Sequence, residues 1–211
     1  MNMRNYKKYI KKIIKIQSVF RGYIIRKKLR LSNDNFTYNK LNILLNNFID
    51  YTKKINKLNK LLIHKKIRMP NFPSEISENV AKFAIFNKYK IMPSWDNKNG
   101  DLIIRNKWIN KKFEVKAFSS SGPTSFGPTE NWDYIYFVNA KKYKQKYFKI
   151  YELKLSNNDK QFYNIKINKN ETYYKQCKNK RRPRLCFKEI KIQLKNHIKL
   201  IFKGKINKLF H

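Results

Sequence analysis

A carboxylate and a lysine lie two residues apart at the start of a segment rich in small residues. Glu114 and Lys116 belong to the strand-like run KKFEVKAF, in which alternate side chains point to the same face. Asp101 opens the preceding strand-like run, DLIIRN, and a hairpin between the two runs would bring all three side chains together. Two carboxylates and a lysine on one face suit metal-assisted hydrolysis of a phosphodiester.

Each of these groups has a role in that chemistry. Carboxylate oxygens suit Mg²⁺, which keeps several of its waters when it binds a protein. The metal ion neutralises the phosphate and lowers the pKa of a bound water. Lys116 would orient or deprotonate the attacking water and offset charge in the transition state. The residues themselves therefore predict a Mg²⁺-dependent phosphodiesterase site.

Position, rather than the tripeptide, selects this set. The pattern (D/E)-x-K also begins at Asp96, Glu152 and Glu189, as expected in so lysine-rich a chain. A second candidate set combines Asp133 with Glu152 and Lys154, which also lie in strand-like runs. It lacks the small-residue loop and an acidic helix directly before it. Nucleases that bind a metal through histidine are disfavoured, because the chain has three histidines and none lies near a suitable partner.

The composition indicates a polyanionic partner. The 211 residues include 50 Lys and Arg against 13 Asp and Glu, a formal net charge of +37. Nucleic acid is the first expectation and a membrane surface the second, although Lys/Asn/Ile-rich coding contributes to the excess. No apolar run reaches the roughly 20 residues of a membrane span, and no signal peptide is apparent at the start. Two cysteines are too few for a disulfide scaffold or a zinc site, so we expect an intracellular, reducing compartment.

Hydrophobic spacing divides the chain into helices followed by a mixture of strands and helices. Basic helices are predicted over 3–31 and 36–66, with a turn between them that Ser32 or Asn33 could cap, and a proline-containing break over 68–73. A helix capped by Ser74 follows. Further strands are predicted over 101–106, 112–118, 132–139, 146–155 and 199–206, helices over 170–177 and 187–198, and a basic loop over 178–184. This order predicts an α/β (α+β) domain over 69–211 behind a helical extension over 1–68.

A family resemblance sharpens the prediction. GD at 100–101 followed by EVK at 114–116 resembles the PD-(D/E)XK nuclease motif, with Gly100 in place of the usual proline. The segments FPSEISENV, SSSGPTSFGPTENWDYIYFVNA and IYELKLSN resemble the small type II restriction endonucleases of that superfamily, and CKNKRRPRLCFKEI fits their C-terminal part. The similarity covers roughly 69–205, and the Ser-Gly-Pro-Thr segment is its most specific element.

The resemblance implies a restriction-endonuclease-like core, a mixed central sheet flanked by helices. It implies that Asp101 and Glu114 hold Mg²⁺ with the backbone carbonyl of Val115, and that Lys116 positions the water. Glu78 matches a helical acidic residue that often completes the metal site; its alternative role is to favour the helix dipole. Double-stranded DNA would be cut by an in-line attack that leaves a 5′-phosphate and a 3′-hydroxyl, and a homodimer would supply one active site for each strand.

Two segments are candidates for DNA contact. Small residues in the loop over 119–130 let backbone and hydroxyl groups approach phosphates and base edges. The candidate DNA-binding residues are Ser119, Ser120, Ser121, Thr124, Ser125, Asn131, Arg181, Arg182 and Arg184. Glu130 is a further candidate for contact with base edges, and the arginines could read guanine or bind phosphate. The alternative is an ordinary surface loop.

The N-terminal segment matches a second motif. IQSVFRGYIIR fits the IQ pattern I-Q-x-x-x-R-G-x-x-x-R at five positions, Ile16, Gln17, Arg21, Gly22 and Arg26. IQ helices bind calmodulin or related EF-hand proteins, so residues 10–30 are a candidate calmodulin-binding segment. The alternative is a basic helix that packs on the nuclease or touches DNA. A working IQ motif implies a eukaryotic cell, and with a restriction-type enzyme it suggests a large DNA virus acting in its host's nucleus or cytoplasm.

The combined prediction is a Mg²⁺-dependent type II restriction endonuclease that cuts double-stranded DNA at a short specific site. One alternative is a catalytically inactive DNA-binding or calmodulin-binding protein on a nuclease fold, and another is a nonspecific repair-type nuclease. The presence of both Asp101 and Glu114 favours an enzyme, and the Ser-Gly-Pro-Thr loop favours the restriction type.

Overall fold

A computed structural model describes residues 38–96 and 101–210 of the chain. The helix predicted over 3–31, the turn that follows it with its capping residues, and the IQ segment lie outside the described residues. Internal contacts divide the chain into Met1–Lys40 and Leu41–His211. The second of these compact units contains the sheet and the candidate site.

The first described helix, α1, spans Tyr38–Leu61, within the predicted 36–66. Its apolar residues recur at helical spacing, and Leu41, Leu45 and Phe48 are buried. The ring of Phe48 packs edge-on against Phe72, and the hydroxyl of Tyr143 donates to Thr52 Oγ1 at 3.1 Å. The apolar stripe of α1 is thus covered by residues of the sheet domain.

The compact unit therefore begins earlier than the domain predicted over 69–211. Residues 41–68 share a unit with the sheet, because α1 cannot bury its apolar stripe alone. The proline-containing break over 68–73 is confirmed, since it connects α1 to the next helix without regular structure. The side chain of Asn59 holds the start of this connection by hydrogen bonds with both the N–H and the C=O of Ile67, at 2.6 and 2.9 Å.

Helix α2 spans Ser74–Tyr89 and buries Ile76, Val80 and Ala84 on the sheet side. The prediction that Ser74 caps this helix is wrong. Pro73 occupies the cap position with φ −63° and ψ 133°, and Ser74 is the first helical residue. Proline is tolerated there because the backbone is extended and its carbonyl still accepts the first helical hydrogen bond, from the Ser77 N–H at 3.2 Å.

The centre of the unit is a six-stranded mixed sheet with the strand order β1-β2-β3-β5-β6-β8. Its strands are β1 (Ser94–Trp95), β2 (Leu102–Arg105), β3 (Asn110–Phe118), β5 (Tyr134–Lys142), β6 (Tyr147–Leu153) and β8 (Ile198–Lys205). The β3–β5 pair is parallel and the other pairs are antiparallel. Two short strands, β4 (Thr124–Ser125) and β7 (Arg184–Leu185), form a separate pair. The five strands predicted from the sequence are confirmed, with shifted ends.

Short helices and turns complete the described fold. They are a 3₁₀ turn at Tyr143–Gln145, α3 (Lys160–Tyr163), α4 (Tyr173–Lys178), α5 (Phe187–Gln193) and a 3₁₀ turn at Ile206–Leu209. The predicted short helix over 170–177 is confirmed as α4. The helix predicted over 187–198 ends at Gln193, because Ile198 is already the first residue of β8.

The register of the sheet separates its two faces. Glu114 of β3 lies beside Ile135 of β5, which lies beside Leu153 of β6, so these side chains share a face. Val115 lies in the next row, with Tyr136, on the opposite face. The first face carries an apolar cluster with α3, α4 and α5, and the second contacts α2. The predicted mixed sheet flanked by helices is confirmed.

No helix among the described residues is long and apolar enough to cross a membrane.

Candidate active site

The β2–β3 hairpin brings Asp101 and Glu114 together. Asp101 lies one residue before β2, and its Oδ2 accepts a hydrogen bond of 2.7 Å from the backbone N–H of Val115. This bond fixes Asp101 against the strand that carries Glu114. Glu114 is 3% exposed. A buried carboxyl therefore faces a second one across the hairpin, as the spacing of the two residues predicts.

Lys116 lies between two carboxylates on the same face as Glu114. Its Nζ is 2.5 Å from Glu114 Oε1 and 3.2 Å from Glu130 Oε2, and the lysine side chain is 13% exposed. The same nitrogen lies 5.1 Å from the centre of the Phe126 ring. The ammonium group is thus held by two acidic partners and the face of an aromatic ring.

Glu78 of α2 belongs electrostatically to the same group. Burial raises its pKa to about 8, helped by repulsion from Asp101, Glu75 and Glu114, while Lys116 opposes the shift. Helix α2 thus carries a third carboxyl that interacts electrostatically with the two carboxyls of the hairpin.

Burial also dominates the protonation of the two hairpin carboxyls. It raises the pKa of Glu114 to about 8, with a further contribution from Asp101, while Lys116 lowers it. Burial raises the pKa of Asp101 as well, against the opposing effect of the Val115 N–H and Lys116. Burial lowers the pKa of Lys116, but Glu114 and Glu130 outweigh it and the net pKa is raised. The site thus contains an ammonium group among carboxyls that resist ionisation.

The chemistry of these donors fits a hard divalent cation, which would stabilise the carboxylate form of Glu78, Asp101 and Glu114. Among the described residues, no three Asp, Glu, His or Cys side chains are already arranged as a metal site. Glu114 contacts Lys116, and Asp101 accepts from the Val115 amide. The Lys116 amine and the Val115 amide are therefore the donors that these two carboxyls contact.

A polar cleft of about 420 Å³ opens beside Lys116. One wall is the end of β3 and the loop that follows it, and another is the N-terminal turn of α2, with Ser74 and Ser77. Arg68 and Arg184 also line it. Hydroxyl groups and guanidinium groups are donors for phosphate oxygens. The cleft is thus suited to a phosphodiester backbone that passes next to the amine of Lys116.

The short β4–β7 pair builds one wall of this cleft. Ser125 of β4 pairs with Arg184 of β7, and the Thr124 hydroxyl donates to the Leu185 carbonyl at 3.2 Å. The N–H of Phe126 donates to the carbonyl of Pro183 at 2.9 Å. The Ser-Gly-Pro-Thr loop and the basic segment, which are far apart in sequence, therefore form one surface.

The comparisons with known proteins agree with this arrangement. A family model described as Bsp6I restriction endonuclease matches residues 38–194, well over half of the chain. The chain belongs to the Bsp6I restriction endonuclease family. The resemblance to type II restriction endonucleases is therefore confirmed, and the match begins at α1, earlier than the predicted 69.

A second model, the IQ calmodulin-binding motif, matches residues 10–30, so the predicted IQ motif is confirmed as a sequence feature. A comparison with curated proteins finds no match, and a comparison with solved structures finds none either. As a member of the restriction endonuclease family, the chain has a nuclease-type domain with DNA as the expected partner.

Several predicted DNA-binding residues lie at the cleft of this nuclease-type domain. Ser119, Ser120, Thr124, Ser125 and Arg184 line it.

Four candidates lie elsewhere or are already engaged. Ser121 is exposed, and its Oγ accepts a hydrogen bond of 3.1 Å from Lys141. Arg181 forms an ion pair with Glu171, which reduces its availability to DNA. Asn131 and Arg182 are exposed. Glu130, a further candidate for contact with base edges, forms an ion pair with Lys116.

The sequence reasoning missed the contribution of Arg68, Ser74 and Ser77 to the cleft and the contact of Glu130 with Lys116. Arg68 could not be distinguished among 50 Lys and Arg residues. The position of Glu130 depends on the path of a loop, which no spacing rule gives.

The second candidate set has structural partners instead. Glu152 is almost fully buried and accepts from Lys88 Nζ at 2.5 Å and from the Tyr136 hydroxyl at 2.7 Å. Asp133 Oδ2 accepts from the backbone N–H of Lys112 at 2.8 Å, and Lys154 is exposed. The set therefore ties α2 and the strands together.

Glu189, the acidic residue of another (D/E)-x-K tripeptide, forms a capping box at the start of α5, where its side chain accepts from the Cys186 N–H. This contact holds the helix terminus and leaves the hairpin group as the candidate for chemistry.

Proposed function

We propose that the protein is a Mg²⁺-dependent type II restriction endonuclease that hydrolyses double-stranded DNA at a short specific site. One observation carries the proposal: the hairpin places Asp101, Glu114 and Lys116 together beside a cleft lined by serines and arginines. Membership of the restriction endonuclease family supports the same chemistry.

Asp101 and Glu114 would hold Mg²⁺, with Glu78 and the carbonyl of Val115 completing its surroundings. When bound, the ion would supply charge neutralisation and a water of lowered pKa. Lys116 is an ammonium group here, because its carboxylate neighbours raise its pKa. It therefore donates hydrogen bonds to the scissile phosphate or the attacking water, rather than removing a proton. In-line attack would leave a 5′-phosphate and a 3′-hydroxyl.

The cleft would hold the DNA backbone. Arg68 and Arg184 supply charge, and the small residues Ser119 and Ser120 let phosphate groups approach the end of β3 closely. Arg182 and Asn131 are exposed and free to reach groups outside the cleft. A homodimer with one site for each strand would produce the double-strand cut.

The decisive test is incubation of the purified full chain with unmethylated plasmid in Mg²⁺, with EDTA in a parallel sample and Asp101→Asn as the inactive control. Discrete fragments that require Mg²⁺ and Asp101 are expected. A smear would favour a nonspecific nuclease, and shifted but uncut DNA would leave a binding protein and end the proposal.

We also propose an EF-hand partner for residues 10–30, because the IQ model matches there. Calmodulin is expected to retain the full chain in a pull-down and to lose it on Gln17→Ala/Arg21→Ala. If calmodulin retains the wild type and the double variant equally, the interaction is a nonspecific attraction between an acidic protein and a chain with a net charge of +37. A functional IQ segment would place the protein in a eukaryotic nucleus or cytoplasm, which suits a viral protein.

A further inference from the structure

Glu130 contacts Lys116 from a loop whose backbone is fixed by hydrogen bonds. Its backbone carbonyl accepts from Asn157 Nδ2 at 3.0 Å, and the same asparagine brackets Trp132 by accepting from its N–H and donating to its carbonyl, both at 3.3 Å. The backbone from the Glu130 carbonyl to Trp132 is thus tied to one residue after β6, and the Glu130 N–H donates to the Gly127 carbonyl at 3.4 Å. The side chain of Glu130 is 24% exposed, so it reaches the site from the partly open side.

Gly127 shows why this position is restricted. A Cβ at Gly127 would lie 2.6 Å from Glu130 Oε1 and 2.8 Å from its Cδ, closer than real atoms approach. The φ of Gly127 lies outside the left-handed region, so backbone conformation does not require a glycine. A Cβ there would instead push the Glu130 carboxyl aside, because the end of that side chain can move. Gly127 therefore leaves free the space that the Glu130 carboxyl occupies.

Lys116 contacts two carboxylates, and only one of them, Glu114, belongs to the proposed cation site. An ammonium group has three donors, and the contacts with Glu114 and Glu130 use two of them. Glu114 belongs to the proposed cation site, so a cation and Lys116 compete for its oxygens. Glu130 contacts the same amine from the loop that follows β4.

We propose that Glu130 is a positioning residue: it retains the Lys116 amine in the cleft and thereby lets Glu114 exchange that amine for a divalent cation. This role rests on the proposed function of the site and assigns no direct contact between Glu130 and DNA. Without Glu130, the amine would depend on Glu114, and cation binding would have to displace it from the site.

The experiment compares the full chain with Glu130→Gln, Gly127→Ala and Asp50→Asn. The first variant removes the charge with little change in shape. The second keeps the charge but displaces the carboxyl. Asp50 forms an exposed ion pair with Lys53 on α1, so its variant controls for the loss of one negative charge. The first measurement, without DNA, is the Mg²⁺ or Ca²⁺ concentration that gives half of the thermal stabilisation by the cation.

The expected result is a rise of about tenfold in this concentration for Glu130→Gln and for Gly127→Ala, in line with the usual effect of removing a partner of a metal-site residue. Asp50→Asn should match the wild type. The second measurement is the single-turnover cleavage rate at saturating DNA, which should fall by about 10–100-fold in both site variants. DNA affinity in Ca²⁺ should stay within about twofold, and Glu130→Asp should recover part of the rate.

A structural role for Glu130 would lower the melting temperature without changing the half-saturating cation concentration, and that result overturns the inference. If the wild type cleaves DNA and Glu130→Gln cleaves it at the same rate, the inference about Glu130 is overturned. The nuclease proposal is unaffected by that result. A wild type that binds the cation but does not cut DNA ends the nuclease proposal, and the cation titration of Glu130→Gln still decides the inference. A wild type that neither binds a cation nor cuts DNA overturns both.

Discussion

Burial contributes more than repulsion to the state of the carboxyls around Lys116. It is the largest cause of the raised pKa of both Glu78 and Glu114, and repulsion among the acidic groups adds to it. The raised pKa values favour the protonated form of these carboxyls when no cation is bound. Such a site destabilises the metal-free protein, because its acidic groups are buried where water cannot solvate their charge.

This arrangement predicts how stability depends on pH. Glu78 and Glu114 each have a pKa of about 8 in the folded protein against an ordinary value of 4.5, so the folded state binds more protons between these values. In EDTA, the contribution of these two groups to the free energy of unfolding should be highest below pH 4.5 and should be lost as the pH rises through 8. Urea denaturation at pH 5.5 and 8.5 measures the difference.

The same experiment has a matched variant. Glu78→Gln removes one of the raised carboxyls and should reduce the loss of stability between the two pH values, while added Ca²⁺ should reduce it in the wild type by replacing the protons. A wild-type protein that is equally stable at both pH values, or more stable at the higher one, contradicts the assignment.

Short strands, rather than long helices, determine which basic residues reach the cleft. The β4–β7 pair turns Arg184 toward the cleft, whereas Arg182, two residues earlier, is exposed and does not line it. Arg184→Ala should therefore weaken DNA binding and lower the slope of log affinity against log salt by about 1, the contribution of one phosphate contact. Titration of a labelled duplex in Ca²⁺ at several salt concentrations measures both. The matched control is Arg105→Ala, because Arg105 is exposed at the end of β2 and does not line the cleft. It should change both less, and equal effects of the two variants would mean that lining the cleft gives Arg184 no special part in binding.

The Lys88–Glu152 pair connects an element to the sheet rather than performing chemistry. Lys88 lies in the last turn of α2, and Glu152 lies in β6 with the Tyr136 hydroxyl as its second partner. Lys88→Met leaves a buried carboxylate with one neutral donor, so the variant should unfold about 3 kcal/mol more easily. Because the pair is separate from the hairpin carboxyls, Mg²⁺-dependent cleavage by the folded fraction should persist. Thermal unfolding measures the loss of stability, and a cleavage assay at low temperature measures the activity that remains. Loss of cleavage without loss of stability would mean that the Lys88–Glu152 pair takes part in the chemistry.

Sequence patterns predicted the elements that have strong periodicity and missed those that depend on partners. The apolar run of β2 and the alternation in β3 gave the two strands of the hairpin, and the spacing of Asp101 from Glu114 gave the pairing of their carboxyls. The two-residue strands β4 and β7 have no pattern of their own, since each exists through its pairing with the other. The contact of Glu130 with Lys116 was missed for the same reason: it depends on how the loop returns to the sheet.

At the scale of the whole molecule, the charge of +37 favours binding to any DNA, so specificity has to come from groups around the cleft. The described residues from Leu41 onward contain one hairpin site. Under the proposed function that site would cut one strand, so a double-strand cut in a single binding event would require two copies of the chain.

This requirement predicts the behaviour of mixtures. When wild-type chain is co-expressed with a large excess of Asp101→Asn, most wild-type copies should enter mixed dimers that have one working site. Such dimers should nick a supercoiled plasmid at the recognition site without linearising it, because the second strand faces the inactive copy. Nicked and linear plasmid are measured on a gel at several fractions of wild-type chain. When that fraction is small, the amount of nicked plasmid should be proportional to it, and the amount of linear plasmid should be proportional to its square. Linearisation that falls in simple proportion would mean that a single copy cuts both strands, and the dimer would then be unnecessary for the reaction.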